Sequence, residues 1–162
     1  MTEHADEIVE LVNYFNKDDL ELIFINLEKE LSAENAKTNK EERKKILQNC
    51  FREVHTLKGT AGMLKADIVG EILHILEDVL QQLLECSDRI VGIKDDKIFD
   101  FLLSGLDMTE QAISIFQTNP QFTMSFSTEL GKSYKNYKEN ARDILTNIDN
   151  YLELQQLNLD LF

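Results

Sequence analysis

Apolar residues return every three or four positions through most of this chain, which is the spacing of one face of a helix. Ile8, Leu11, Val12 and Phe15, then Leu20, Ile23, Phe24, Leu27 and Leu31, trace such a face between about Asp6 and Ala36. Asn16-Lys17-Asp18-Asp19 interrupts it, so the segment reads as one long helix or two pieces, with Asp18 or Asp19 capping the second. After the polar connector Ala36-Lys37-Thr38-Asn39-Lys40, Asn39 with Glu42, or Thr38 with Glu41, marks a new helix start. That helix is predicted from about Lys40 to Lys65, along Leu47, Phe51, Val54, Leu57, Ala61 and Leu64. The next runs from about Ala66 to Glu85, along Ile68, Ile72, Leu73, Leu76, Val79, Leu80, Leu83 and Leu84. The turn between these two is short, which makes them antiparallel neighbours facing one core.

Ser87 to Lys94 reads as a loop. A fourth helix is predicted from about Asp95 to Gln117, along Ile98, Phe99, Leu102, Leu103, Leu106, Ile113 and Phe116, stopped by Asn119-Pro120. A fifth is predicted from about Ser127 to Gln156, along Leu130, Tyr134, Tyr137, Ala141, Ile144, Leu145, Ile148, Tyr151 and Leu152. No stretch alternates apolar and polar for long between turn residues, so strands are not expected. One Pro and six Gly in 162 residues leave few breaks, and 43% apolar residues supply a core. The fold class is all-α, one domain with an appendage.

The formal net charge of −13 argues against nucleic acid and against anionic membrane surfaces as partners. The opening Met-Thr-Glu-His-Ala-Asp-Glu carries no basic-apolar signal, and no apolar run approaches the ~20 residues of a membrane span. Cys50 and Cys86 do not form a disulfide framework or a CxxC pattern and read as small core residues. A soluble cytoplasmic protein is the expectation.

The chemistry lies beside the apolar stripe of the second long helix. His55, Lys58, Gly59 and Gly62 also step by three and four, forming a line next to the core face. Each Gly inside a helix costs roughly 1 kcal/mol against Ala. Two on one face leave the backbone bare enough for a large partner to approach. Lys58 lies one turn from His55. A histidine, a nearby cation and a cleared strip suit a group that carries a phosphoryl and hands it to another protein. The following helix repeats the arrangement with Gly70, His74, Glu77 and Gln81, and these two polar lines are expected to meet, bringing His74 and Glu77 near His55.

His55-Thr-Leu-Lys58-Gly59-Thr-Ala-Gly62 resembles the signature of histidine-containing phosphotransfer (HPt) domains. His74-Ile-Leu-Glu77-Asp-Val-Leu resembles the partner helix of the HPt domain in CheA-type chemotaxis kinases; those domains tend to have a Gly where this chain has Lys65. The resemblance implies an antiparallel up-down four-helix bundle over residues 1–120, with residues 121–162 adding a C-terminal fifth helix. It implies His55 as the phosphoryl acceptor and Lys58 beside the phosphoryl oxygens. Glu77 would accept a hydrogen bond from the other ring nitrogen, with His74 a neighbour of the site, and Gly59 and Gly62 would admit the partner. It implies a histidine kinase ATP-binding domain as donor and the aspartate of a response-regulator receiver domain, with its own Mg²⁺, as acceptor.

The chain contains no GxxxxGK[ST] loop and nothing resembling the nucleotide-binding boxes of histidine kinases, so it is expected to be a carrier without cofactor, phosphorylated by another domain or protein. It reads as the N-terminal piece of a CheA-like kinase or as a free-standing shuttle, and the His74/Glu77 match favours the first. Two other readings stand beside the carrier. One is a helical scaffold that dimerises through its tyrosine-bearing fifth helix. The other is a zinc site of His55, His74 and Glu77, which the Lys58 cation opposes.

Overall fold

The computed structural model describes residues 9–119, 121 and 128–156. Residues 9–14 form a short helical segment. The longer elements are α1 (Lys17–Glu30), α2 (Ala33–Thr38), α3 (Lys40–Met63), α4 (Asp67–Glu85), β1 (Ile90–Ile93), α5 (Lys97–Thr118), α6 (Glu129–Thr146) and β2 (Leu152–Leu154). Helices α1, α3, α4 and α5 close a ring of neighbours: α1 packs on α3, α3 on α4, α4 on α5, and α5 back on α1. Helix α6 lies against α4 and α5. One continuous core runs through all of them, from Phe24, Leu27, Leu47 and Val54 to Leu76, Leu80, Leu102 and Leu106, and on to Tyr137, Ala141 and Ile144 of α6. The all-α bundle with an added C-terminal helix is therefore the architecture, and the apolar stripes are what it buries.

The first segment is divided more finely than its apolar pattern suggests. The cap of α1 is Asn16, whose side chain accepts from the Asp19 amide at 3.2 Å, rather than Asp18 or Asp19. Leu31 and Ser32 then separate α1 from α2. Residues 6–8, Pro120 and Ser127 lie outside the described residues.

The second departure is a small sheet. The expected loop from Ser87 to Lys94 holds a 3₁₀ turn and then β1, which pairs antiparallel with β2. Ile90 faces Leu154, Gly92 faces Glu153 and Ile93 faces Leu152, with an irregularity between Ile90 and Gly92. The last helix correspondingly stops at Thr146, short of the predicted Gln156. Asn147 ends it: its amide donates to the Asp143 carbonyl at 2.8 Å, and its side chain donates to the Asp143 carboxylate at 2.9 Å. Tyr151 and Leu152 still reach the core, but from a turn and a strand. Tyr151 donates its hydroxyl to Asp143, fastening the strand back onto α6.

The junction of α3 and α4 is tight. Ala66 N–H donates to Ala61 C=O at 2.8 Å and Lys65 N–H donates to Gly62 C=O at 3.2 Å. This is the double hydrogen bond of a helix ended by a left-handed residue. That residue is Lys65, with φ of 57°, the one positive-φ non-glycine among the described residues. A Gly would adopt this conformation without Cβ strain, which gives a physical reason for a glycine preference there. Cys50 and Cys86 are buried and unpaired, and burial pushes the Cys50 thiol up to about 12.

Candidate functional site

Helices α3 and α4 pack side by side along most of their length, joined by residues 64–66. This closeness brings the outer edge of α3 to that of α4. His55 stands on the edge of α3 with its side chain 62% exposed. Its Nδ1 lies 2.9 Å from Oε2 of Glu77 on α4. Lys58, one turn further along α3, donates from Nζ to Oε1 of the same carboxylate at 2.9 Å. Glu77 is thus shared, one oxygen to each partner, and its side chain is only 12% exposed.

The electrostatics follow from that sharing. Burial by itself pushes the Glu77 carboxyl up, but the hydrogen bonds from Lys58 and His55, with their charges, outweigh it and hold the group below the usual carboxylate range. Glu77 is therefore ionised near neutral pH. An ionised carboxylate only accepts, so the hydrogen between the two residues belongs to Nδ1 of His55. The neutral ring then carries its lone pair on Nε2. No described residue hydrogen-bonds Nε2. The arrangement presents one basic nitrogen to solvent and fixes which one it is.

Of the residues singled out from sequence, the structure brings together His55, Lys58 and Glu77. Lys58 has its ammonium on Glu77, on the carboxylate oxygen that His55 does not use. His74 is not brought to His55. Its Nε2 faces Asp78 Oδ2 at 3.7 Å, and its side chain is 60% exposed. Three residues turn a helix by about 300°, so His74 stands ~60° round from Glu77, on the outward side of α4. The three ligands of the zinc alternative are consequently not assembled. Among the described residues no group of three or more His, Cys, Asp or Glu is placed to hold a metal ion. No helix among them is long and apolar enough to cross a membrane.

Gly59 and Gly62 lie exposed on the same flank of α3, and a Cβ built on either meets nothing within 4 Å. Gly70, near the start of α4, is equally open. Among the described residues, no neighbouring element fills the space over Gly59 and Gly62, and nothing in the packing requires glycine at these positions.

A family model described as the Hpt domain matches residues 3–107, which include α1 to α4, β1 and the first half of α5. A chemotaxis protein CheA from Borreliella burgdorferi is 31% identical over 106 residues. That alignment covers 65% of this chain and 11% of the relative, so the chain spans about a tenth of that protein's length. No solved structure gives a significant match. With the family match over more than half of the chain and the bundle it calls for, this chain belongs to the Hpt domain family, the histidine phosphotransfer modules of two-component systems.

Proposed function

We propose that His55 carries the phosphoryl group of a chemotaxis-type phosphorelay. It takes the group from ATP bound to a histidine kinase catalytic domain and passes it to an aspartate of a response-regulator receiver domain. The single observation that carries this reading is the 2.9 Å pairing of His55 Nδ1 with Glu77 Oε2 on an imidazole whose side chain is mostly exposed. In the first step the Nε2 lone pair forms a bond to the γ-phosphorus as its bond to the bridging oxygen breaks, and ADP leaves. The ring acquires positive charge, which the Glu77 carboxylate stabilises through the Nδ1 hydrogen. In the second step a receiver carboxylate, assisted by the receiver's Mg²⁺, attacks the phosphorus and His55 leaves as neutral imidazole. Lys58 acts on this chemistry through Glu77, keeping the carboxylate ionised and in place.

The test is labelling with radioactive Mg-ATP and the catalytic core of a CheA-type kinase, followed by mapping of the labelled peptide. Acid-labile label in the peptide that contains His55, chased off by a receiver domain, is the expected result. Label on His74, or an unlabelled chain beside a labelled cognate substrate, overturns the reading.

The glycines give a prediction that separates stability from transfer. Gly59→Ala adds helix propensity in open space and raises stability by about 0.5–1 kcal/mol. Gly59→Leu leaves the bundle folded but holds the partner away from His55, slowing transfer by about tenfold or more. Urea titration and transfer rates to a receiver check the pair. Unchanged transfer in Gly59→Leu removes the glycines from the docking surface.

A further inference from the structure

We propose that Phe51 is a positioning residue for His55: its ring fixes the plane of the imidazole, as Glu77 fixes one of its edges. The inference rests on the reading of His55 as the carrier. Phe51 precedes His55 by one helical turn, and helical side chains lean toward the N-terminus, over the turn before them. The His55 ring accordingly lies against Phe51, with ring centroids 5.9 Å apart and planes 10° from parallel. That is the offset stacking aromatic rings favour. Phe51 is partly buried and packed against the core, so its ring is anchored.

A single hydrogen bond leaves an exposed imidazole free to swing about the Nδ1···Oε2 line. A second restraint, on the ring face, removes that freedom. With edge and plane both held, Nε2 points in one direction. The lone pair of an imidazole nitrogen lies in the ring plane, so fixing the plane fixes the line along which phosphorus must arrive. The two turns flanking His55 are unequal in the same sense. Phe51 walls off the N-terminal side, while Gly59, one turn beyond His55, leaves the C-terminal side open. In-line displacement at phosphorus depends on alignment of attacking and leaving atoms, and this geometry supplies the attacking half.

The test compares wild type, Phe51→Leu and Phe51→Tyr as substrates of a CheA-type kinase core, with proton and nitrogen NMR of His55. Phe51→Leu lowers kcat by about 3- to 10-fold with KM within twofold, while Phe51→Tyr keeps both. The His55 ring-carbon protons are shifted by the Phe51 ring current in the wild type and in Phe51→Tyr, and lose that shift in Phe51→Leu. A rise in KM alone makes Phe51 a docking contact and overturns the proposal, as does an unchanged kcat. If wild-type label maps away from His55, the carrier reading fails by itself. The ring-proton shifts still decide the positioning, and identical shifts in wild type and Phe51→Leu overturn it.

Discussion

Glu77→Gln slows phosphorylation of His55 at least as much as Glu77→Ala does, although glutamine is the closer match in shape. The reason is that Glu77 has two partners with fixed demands. Lys58 Nζ only donates and takes one oxygen; His55 Nδ1 takes the other. A glutamine has one oxygen. Lys58 claims it, which turns the amide nitrogen toward His55. That nitrogen donates, so it selects the tautomer with a lone pair on Nδ1 and the hydrogen on Nε2, the nitrogen that attacks in the proposed transfer. Alanine merely withdraws the preference. A hydrogen bond to a charged group is worth about 1.5–3 kcal/mol, and each 1.4 kcal/mol is about tenfold. Glu77→Ala is therefore expected to lose about 10- to 100-fold in initial labelling rate, and Glu77→Gln to equal or exceed that loss. Lys58→Met in the Glu77→Gln background frees the amide to turn its oxygen toward Nδ1, and restores the rate to the alanine level or above. Nitrogen chemical shifts of His55 report the tautomer directly. A Glu77→Gln protein labelled at the wild-type rate, with Nδ1 still protonated, would show that the carboxylate does not set the tautomer.

The elements of this site were legible in sequence to the extent that helical geometry determines them. His55, Lys58 and Gly59 share one edge of α3 because the period of a helix puts them there. Glu77 meets that edge because a three-residue turn makes α4 its neighbour. What periodicity does not resolve is which side of a polar stripe faces the partner helix. His74 and Glu77 belong to one stripe, yet a difference of ~60° sends one to Asp78 and the other to His55. The partner of Lys58 was hidden for a related reason: a long, flexible side chain reaches several groups, and only the packing selects Glu77. The small sheet escaped because strands of three and four residues are too short to show alternation. Leu152 suits a helix repeat as well as a strand, and the apolar spacing runs on past Asn147, where the helix ends.

Arg43 is the clearest case of a residue whose place was readable but whose charge concealed it, and replacing it is expected to have the largest effect on stability. It continues the core line of α3 backward from Val54, Cys50 and Leu47, and it is fully buried. Its guanidinium donates to the Ala36 carbonyl at 2.6 Å and to the Ser87 carbonyl at 2.6 Å. The first is among the last carbonyls of α2, which have no partner within their own helix. The second belongs to the turn that leads into β1. One planar fork thus ties α2, α3 and the approach to the sheet together. Burial lowers the pKa of the guanidinium, with Asp88 and Glu30 opposing that shift, and an arginine stays charged under such conditions. Arg43→Met fills similar space but leaves both carbonyls buried without donors, at about 1–3 kcal/mol each. A loss of about 3–5 kcal/mol is expected, a large share of the roughly 5–15 kcal/mol that a domain has. Arg43→Lys recovers only part of it, since a single ammonium lacks the fork that spans two acceptors. Urea titrations of the three proteins measure the order. The site gives an independent control: twelve residues of helix separate Arg43 from His55, about 18 Å along the axis. Arg43→Met that remains folded at low temperature should therefore be labelled at close to the wild-type rate. A loss below about 1 kcal/mol would mean that water serves the two carbonyls as well as the guanidinium does. A folded variant that is not labelled would mean that α3 transmits strain from its buried end to His55.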